Sequence, residues 1–426
     1  MHKIAFITFG CSLNQADSEA MAGLLSSVGY DVVEDADSAN LVVVNSCTVK
    51  NLAESKFFKI IKDLELKNKK IVVAGCIPQA DRKLVEESLK DYSIVGTSQL
   101  KRIVEVVEQT MEGNVIHYLQ REKNPRLDLP KIRKNEIIDI IPISEGCLDA
   151  CAYCKTKHAR GSLLSYDPEM IVQQVRDAVK DGCKEIWMTS QDTGCYGFDI
   201  DTSLPELMKR VLSIEGDYMV RMGMMNPHHV LNILENMIDI YKNPRVFKFL
   251  HIPVQSGNDI VLGKMGRRYS VEEYKQIIKK IKKEVPGITI STDIICGFPE
   301  ETREQFEDTV RLIKETEPDV LNISRFWLRP GTPAENLEQL HGRDTKSRST
   351  ELKNIFYEMM SEENQKYVGK EYYIIVDEKG KGDSWIGHNE FYKHIVVKGN
   401  LILGDRVKVK ITGANQHYLL ASEIPR

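Results

Sequence analysis

The feature that most constrains this chain is a cysteine motif in its middle third. Cys147, Cys151 and Cys154 form a C-x3-C-x2-C pattern that directly follows the strand-like apolar segment Ile137–Ile143. Three thiolates on one tight loop can hold three irons of a [4Fe–4S] cluster, which leaves the fourth iron without a cysteine. Because an iron with no protein ligand can bind a small molecule, the motif favours catalysis over simple electron transfer.

Two other interpretations of this motif remain open. The loop could bind zinc, or its three thiols could simply pack. A zinc site would need a fourth ligand nearby. His158 is the local candidate, but it lies among Lys155, Lys157 and Arg160. The cluster interpretation is therefore favoured.

A second group of cysteines lies in the amino-terminal third, where each one closes a strand-like segment. Their spacings of 36 and 29 residues match about one βα unit each. The carboxyl ends of parallel strands share one edge of a sheet, so we expect these thiols to converge on another three-thiolate site. The alternative is coincidence, because unpaired cysteine is common in protein cores. The three are Cys11 after Ile4–Phe9, Cys47 after Leu41–Asn45, and Cys76 after Ile71–Ala74.

Composition divides the 426 residues into four predicted regions. Residues 1–120 alternate short apolar strands with helical patterns, which predicts a Rossmann-like parallel α/β domain. Residues 121–135 hold six Lys or Arg against two Asp or Glu, and we interpret them as a basic linker or exposed extended segment. Residues 136–366 contain six βα repeats, typical of a partial (β/α)6 barrel. Residues 367–426 predict a small OB-like β-barrel, because Gly, Asn and Asp separate short strand-like segments at Tyr372–Val376, Ile395–Lys398, Arg406–Ile411 and Leu419–Ala421.

The predicted elements can be placed residue by residue. The six barrel strands are expected at Ile137–Ile143, Glu185–Thr189, Met219–Met222, Phe247–Pro253, Ile288–Ile295 and Val320–Phe326. Helical patterns are found at Asp17–Val28, Leu52–Leu66, Pro168–Asp181, Val271–Glu284 and Ser349–Val368.

Charge and hydropathy exclude several classes of protein. The chain has 58 Lys and Arg against 62 Asp and Glu, so any contact with nucleic acid must come from local patches. It contains no apolar stretch of about 18 residues, which predicts no membrane span. Residues 1–6 lack the features of a signal peptide. We therefore expect a cytoplasmic protein whose nine cysteines serve as thiols or metal ligands rather than disulfides.

Together these motifs resemble the radical S-adenosylmethionine (SAM) methylthiotransferases over essentially the whole chain. The carboxyl-terminal unit resembles a TRAM domain, the small RNA-binding barrel of that family. One departure is Glu300, where the family usually has glycine. The matching segments are Thr8–Glu19, Asn45–Val49 with Ala53 and Lys56, Gly75–Gln79, Gly146–Cys154 with Arg160-Gly161, His251–Gly257 and Thr292–Pro299.

Two further segments, residues 155–161 and 185–194, resemble the archaeal and eukaryotic branch of the family. That branch modifies N6-threonylcarbamoyladenosine in tRNA. Sibling branches act on isopentenyladenosine in tRNA or on an aspartate of a ribosomal protein, and both remain alternatives. A non-catalytic iron–sulfur protein is disfavoured, because electron carriers usually ligate every iron.

The resemblance implies a catalytic scheme with two [4Fe–4S] clusters and SAM. One cluster would sit on Cys147, Cys151 and Cys154 and bind SAM. The other would sit on Cys11, Cys47 and Cys76 and hold sulfur, and the methylthio group would replace the hydrogen at carbon 2 of adenosine 37. Implied partners are a tRNA anticodon stem-loop, a low-potential electron donor and a sulfur donor. The residues expected at SAM or substrate are Tyr153, Gln191, Gln255 and Asp293, although hydrogen bonding at the barrel rim is an equal alternative for the last three.

RNA contacts would need local positive charge or exposed aromatic rings. Residues 264–283 hold eight Lys or Arg against two Glu, although Lys279–Lys283 is also consistent with a solvated helix face. The terminal unit has five aromatic residues that could stack on bases or form its core. They are Tyr372, Tyr373, Trp385, Phe391 and Tyr392.

Overall fold

The amino-terminal part of the chain is a six-stranded parallel sheet with strand order β2-β1-β3-β4-β5-β6. The structure, a computed structural model, describes residues 2–48, 51–122 and 126–424, without the side chains of residues 51–53. The strands are β1 Lys3–Thr8, β2 Asp31–Val33, β3 Leu41–Ser46, β4 Lys70–Gly75, β5 Ser93–Gly96 and β6 His117–Tyr118. The helices are α1 Ser12–Ser27, α2 Asn51–Leu66, α3 Cys76–Ala80, α4 Arg82–Leu84 and α5 Ile103–Glu112, with a π-helical turn at Val85–Leu89 and a 3₁₀ turn at Leu100–Arg102.

The central strand β3 explains why this sheet is covered on both faces. All six of its residues are buried. Val42 and Val44 pack in one hydrophobic cluster with Phe57 of α2, whereas Leu41 and Val43 pack in a second cluster. Parallel strands that are buried on both faces read as continuous apolar runs, which is why the sequence predicted them.

The middle of the chain forms a partial barrel of six parallel strands. Strands β7-β10-β11 and β12-β13-β14 form two sheets, which meet where Val220 pairs with Val246. Strand β12 is shorter than its predicted span. The strands are β7 Ile138–Pro142, β10 Glu185–Thr189, β11 Met219–Met222, β12 Phe249–His251, β13 Thr289–Cys296 and β14 Val320–Arg325, with a small antiparallel pair, β8 Ser144–Glu145 and β9 Leu164–Ser165.

Helices surround this barrel and follow its strands. They are α6 Thr156–Arg160, α7 Pro168–Lys180, α8 Leu204–Leu212, α9 Pro227–Lys242, α10 Asp259–Lys264, α11 Val271–Glu284, α12 Arg303–Thr316 and α13 Gly342–Gln365, with 3₁₀ turns at Thr193–Cys195 and Pro333–Asn336.

The last unit is a closed five-stranded barrel with strand order β15-β16-β17-β19-β18. Closure leaves no unpaired sheet edge. The three architectures confirm the predicted fold class, whereas the boundaries drawn from composition stay predictions. The strands are β15 Glu371–Lys379, β16 Ser384–His388, β17 His394–Lys398, β18 Arg406–Ala414 and β19 Leu419–Glu423.

The two outer units contact opposite ends of the central barrel. The closed barrel packs at the amino ends of the strands, where the ring of Tyr392 lies 5.2 Å from that of Phe249 and Lys393 pairs with Asp319 at 2.5 Å. The amino-terminal unit meets the carboxyl ends, where Thr97 Oγ1 donates to the Ala159 carbonyl at 2.8 Å.

The expected exposure of residues 121–135 is wrong for part of that segment, whereas its role as a linker stays a prediction. Arg126 and Leu127 are both less than a tenth exposed, and Lys131 forms an ion pair with the buried carboxylate of Asp139. Charge in the sequence suggested exposure, but these cations pair with buried carboxylates. Residues 123–125 of the segment lie outside the described residues.

Across the described ranges, we find no helix with both the length and the apolar character needed to span a bilayer.

Helix α1 approaches this connecting segment so closely that only glycine fits at one of its positions. A Cβ on Gly23 would lie 2.1 Å from the Pro130 carbonyl oxygen. Alanine normally stabilises a helix by about 1 kcal/mol relative to glycine. Here the clash opposes that gain.

We predict that Gly23→Ala lowers the free energy of unfolding by about 1–3 kcal/mol, because the backbones must separate. The matched control is Gly263→Ala in α10, where an added Cβ meets no atom within 4 Å. That control should raise the free energy of unfolding by roughly 0.4–1 kcal/mol. Urea denaturation measures both values, and stabilisation by both substitutions would contradict the close approach.

Candidate active site

The three amino-terminal cysteines converge around the first turn of α1. Cys11 precedes α1, Cys47 follows β3, and Cys76 begins α3. The side-chain oxygen of Asn14 lies 4.0 Å from Cys11 Sγ and 3.6 Å from Cys76 Sγ. A Cβ on Gly10 would come within 2.7 Å of Cys47 Sγ. The parallel register therefore brings together three thiols that are distant in sequence.

Asn14 is fixed in this position by the backbone. Its Nδ2 donates to the Phe9 carbonyl at 2.9 Å and to the Ser46 carbonyl at 2.8 Å. These bonds orient its oxygen toward the cysteines and tie the loops after β1 and β3 together. Asn14 lies within the amino-terminal motif, but the sequence assigned it no role.

The second cysteine triplet lies on the loop that follows β7 and β8. Gly146 has a φ of +73°, and a Cβ there would lie 2.0 Å from the Ser162 carbonyl oxygen. Its backbone N–H donates to Gln191 Oε1 at 2.7 Å. The Cys154 N–H donates to the Cys151 carbonyl at 3.0 Å and closes a tight turn. Gln191 therefore holds the loop, and its predicted contact with SAM stays a prediction.

Arginine side chains lie beside cysteines of both triplets. Arg267 Nη1 donates to Cys151 Sγ at 3.4 Å. The Arg160 guanidinium offsets part of the rise that burial causes in the pKa of Cys76. The Arg329 guanidinium lies near Cys47.

Burial also raises the pKa of Cys147 to about 12. Buried thiols of this kind release their protons when a cationic metal centre binds them. Three thiols with guanidinium groups beside them therefore fit the donor set of an iron–sulfur cluster at either position.

A buried ion-pair network lies between the two triplets. The carboxylates of Asp17 and Glu145 both contact the guanidinium of Arg126. Arg160 Nη2 lies 2.7 Å from Asp17 Oδ2, and Arg160 Nη1 lies 3.6 Å from Glu145 Oε1. All four side chains are less than a tenth exposed, and their formal charges cancel. The network joins α1, the connecting segment and the barrel.

The same network reaches both cysteine sites. Arg160 Nη2 donates to the side-chain oxygen of Asn14 at 2.7 Å, and that oxygen faces Cys11 and Cys76. Glu145 stands two residues before Cys147 in the chain. One chain of polar contacts therefore connects the two loops.

Inside the mouth of the barrel, Asp293 is the centre of a polar cluster. His251 Nε2 lies 3.0 Å from Asp293 Oδ1, and Asn322 Nδ2 donates to the same oxygen at 2.8 Å. Gln255 has a φ of +71°, and its N–H donates to the Asp293 carbonyl at 2.8 Å. Asp293 and Gln255 therefore lie together on neighbouring segments, and their predicted contact with SAM or substrate stays a prediction.

Tyr153 packs beside the same cysteine loop. Its ring contacts the cluster that contains Met265 and Phe298, and burial raises its pKa well above the usual range. Tyr153 is therefore a neutral phenol with an apolar surround. Its predicted place beside the adenine of SAM stays a prediction.

The remaining three cysteines lie outside both triplets. Cys183, Cys195 and Cys296 are buried, and none of the nine cysteines, all within the described ranges, forms a disulfide. Cys195 Sγ donates to the Asp192 carbonyl at 3.2 Å. The Asp192 carboxylate lies 2.7 Å from His229 Nδ1.

Sequence reasoning missed Arg126 and Arg267 as residues of the site. Arg267 was counted in a basic run that suggested RNA contact or a solvated helix, and Arg126 in the linker. No local signal distinguishes a buried arginine from an exposed one. Arg160 and Asp17 did carry a signal, because both lie inside the motifs.

Glu300 stands at a position where the family usually has glycine. The backbone conformation at this position explains that preference. Glu300 has a φ of +60°, a conformation that costs a residue with a side chain roughly 1–3 kcal/mol. Its carboxylate pairs with Lys264 at 2.6 Å. The loop at Glu300 therefore keeps a glycine-like conformation without glycine.

The fold and the family matches together define a radical SAM protein with an additional parallel α/β unit and a small closed β-barrel. Residues 141–313 match the radical SAM superfamily, residues 3–96 match the uncharacterized protein family UPF0004, and residues 365–423 match the TRAM domain. A radical SAM methyltransferase from Kitasatospora setae is similar in fold, with a TM-score of 0.57 and 15% identity, over 79% of this chain and 75% of that chain.

Two relatives indicate which family of radical SAM proteins this chain belongs to. The threonylcarbamoyladenosine tRNA methylthiotransferase of Homo sapiens is 44% identical over 98% of this chain and 73% of its own length. The probable threonylcarbamoyladenosine tRNA methylthiotransferase of Pyrococcus horikoshii is 42% identical over 100% of both. The chain belongs to the threonylcarbamoyladenosine tRNA methylthiotransferase family.

We predict that Arg126→Met destabilises the protein by about 3–5 kcal/mol, because Asp17 and Glu145 would be left buried with too little positive charge. The control is Lys134→Met in the same segment, whose side chain is exposed. It should change the free energy of unfolding by less than about 0.5 kcal/mol. Urea denaturation compares the two, and equal values would show that the network adds nothing beyond an exposed charge.

Proposed function

We propose that this protein transfers a methylthio group to carbon 2 of N6-threonylcarbamoyladenosine at position 37 of tRNA, using SAM. The observation that carries the proposal is the pair of three-thiol sites at facing strand ends, connected through Asn14 and Arg160. One site alone would support SAM cleavage. Family membership supports the choice of nucleoside.

The six cysteines are proposed as ligands of two [4Fe–4S] clusters. Cys147, Cys151 and Cys154 hold one, and Cys11, Cys47 and Cys76 hold the other. Bound there, the two clusters supply reductive cleavage of SAM and the sulfur that is transferred. Each triplet leaves one iron without a protein ligand, which gives SAM at one site and sulfur at the other a place to bind.

The residues around the clusters align the reactants and exclude water. Tyr153 flanks the adenine of SAM, while Gln191, Gln255 and Asp293 line its pocket. Arg267 donates to Cys151 and stabilises the thiolate form. Lys155 closes the boundary between the units, because its ammonium contacts both the Pro330 carbonyl and Asp81, the latter at 3.4 Å. A reactive radical needs such a closed site, because water and thiols would quench it.

The tRNA is proposed to bind the TRAM barrel through one exposed surface. Tyr373 is 64% exposed, and Lys408, which also pairs with Glu371 at 2.7 Å, lies directly opposite it on β18. An aromatic face beside a cation suits stacking on a base next to a phosphate. Two of the other aromatic rings already have a neighbour against one face. The centres of the Tyr392 and His388 rings are 4.1 Å apart, and the Lys379 ammonium lies 3.9 Å from the centre of the Trp385 ring.

The basic run in α11 is a weaker candidate for RNA contact. Lys280 pairs with Glu235, and Lys275 pairs with Glu315 at 2.8 Å. Lys282 donates to the Thr316 carbonyl at 2.9 Å. These lysines pair with carboxylate and carbonyl groups of neighbouring helices, which favours the interpretation of α11 as a solvated helix face.

The reaction also requires partners that supply electrons and sulfur. We propose a low-potential electron donor, a sulfur donor and an anticodon stem-loop as substrate, which together place the protein in the cytoplasm. Isopentenyladenosine in tRNA and an aspartate of a ribosomal protein remain the alternative substrates.

Nucleoside analysis tests the substrate. In cells that lack the gene, mass spectrometry of tRNA nucleosides should find no 2-methylthio-N6-threonylcarbamoyladenosine and an accumulation of its unthiolated precursor. Reintroduction of the gene should restore the product. An unchanged profile, or loss of methylthio-isopentenyladenosine instead, would refute the proposed nucleoside.

The second cluster is tested by substituting Cys11, Cys47 and Cys76 together with alanine. The variant should bind about four irons fewer than the wild type. It should still form 5′-deoxyadenosine from SAM and lose methylthio transfer. The control substitutes the buried cysteines Cys183, Cys195 and Cys296, which should leave the iron count unchanged. Retained sulfur transfer in the first variant would rule out the second cluster.

A further inference from the structure

We propose that a divalent metal ion of the zinc type binds Glu185, Asp377 and His388, where the TRAM barrel meets the base of the radical SAM barrel. One ligand atom from each residue lies within 4.8 Å of the other two. Glu185 begins β10, whereas Asp377 and His388 lie on β15 and β16. The three donors therefore come from both units.

An unpartnered oxygen points to a missing cation at this place. Glu185 is fully buried, and its Oε2 accepts a hydrogen bond from Trp187 Nε1 at 2.8 Å. Its Oε1 receives no hydrogen bond from any residue that the structure describes. Its carboxyl neighbour, Asp377, is only 3% exposed. Two buried carboxylates side by side offer only acceptors when both are ionised, which is costly unless a cation lies between them or they share a proton.

The surrounding charges also leave room for a divalent ion. Besides the two buried carboxylates, the exposed Glu378 acts on Asp377 and His388. The facing cation is Arg221, whose guanidinium carbon lies 5.0 Å from the rings of Trp187, Phe249 and Tyr392. Solvent screens the exposed Glu378, so the two buried carboxylates against one guanidinium leave one negative charge when both are ionised. A divalent ion between the two buried carboxylates would offset most of the cost of their burial.

The donor chemistry selects a zinc-type ion rather than magnesium. His388 contributes an imidazole nitrogen, the commonest protein ligand of zinc-type ions. Imidazole with carboxylates suits zinc, whose bonds of about 2.0–2.2 Å place tetrahedral ligands roughly 3.3 Å apart. Only small side-chain movements would bring the three donor atoms to that spacing.

Neighbouring groups already hold the ligands in position. Trp187 Nε1 orients the Glu185 carboxylate, and the Tyr392 ring stacks on His388 with an interplanar angle of 9°. Asn135 Nδ2 donates to the Asp377 carbonyl at 2.6 Å. Such contacts behind the ligands are typical of metal sites.

The location gives the ion a structural role. Glu185 stands at the amino end of β10, whereas Gln191, which holds the cysteine loop, follows the carboxyl end of the same strand. The ion would therefore fasten the TRAM barrel to the central barrel and take no part in the chemistry.

Metal analysis of the cluster-loaded full chain tests the site. The wild type, Asp377→Asn and the control Glu378→Gln, which lies one residue along β15, are equilibrated with zinc, dialysed and analysed by mass spectrometry for zinc and iron. The wild type and the control should hold one zinc per chain more than Asp377→Asn. Zinc on cysteines cancels in this difference, because all three proteins keep the same thiols, and equal iron contents show that the variant folds.

A second measurement needs no variant. Removal of zinc from the wild type with a chelator should lower its melting temperature, and added zinc should restore it, because an ion that binds only the folded state stabilises that state. The proposal is overturned if the cluster-loaded wild type binds no zinc beyond its cysteines. Equal zinc in wild type and Asp377→Asn would also overturn it and would mean that the two carboxyl groups share a proton instead.

Discussion

The buried pairing of Arg126 and Arg160 with Asp17 and Glu145 is the interaction on which the site depends. Each of these charges is removed from water and is stable only because the others are present. Since the four residues come from the amino-terminal unit, the connecting segment and the barrel, none of these parts can move separately without exposing or isolating a charge. The two cysteine loops are thereby held at one relative position.

The parallel topology of the sheets also helps to position the two cysteine loops. Each of the two sheets gathers its loops at the carboxyl ends of its strands, and the two edges face each other. Cys76 begins α3, and α6 begins two residues after Cys154, so the helices that meet at the boundary carry their cysteines with them. Two ordinary α/β folds thus bring their cysteine loops to one shared boundary.

Sequence predicted the parts of this architecture that local patterns encode. Strands such as β3 are continuous apolar runs, and the cysteine motifs mark both edges. The sequence missed β16, which contains Gly387, and it placed the start of α13 seven residues late, because the first turns of that helix have no apolar periodicity. Both failures arise where tertiary packing decides the structure.

The fates of charged residues were the hardest to predict. Arg126 and Arg267 read as solvent-exposed cations, yet one completes a buried network and the other donates to a cysteine. The carboxylates that Arg126 contacts lie 19 and 109 residues away in the chain, and Cys151 lies 116 residues from Arg267. A linear pattern carries no information about such distant pairing.

The opposite placement of the outer units has a consequence for how RNA must lie on the protein. The TRAM barrel sits at one end of the barrel strands, and the cysteines sit at the other. Strand β13, with eight residues, spans roughly 26 Å between those ends. A nucleic acid that touched both ends would run along the flank of the barrel, so the protein would select RNA by its length. A rigid RNA stem of sufficient length could present its loop at the far edge of the barrel, whereas a short oligonucleotide would contact one end only. Selection of the RNA would then rest on its shape as much as on the identity of its bases.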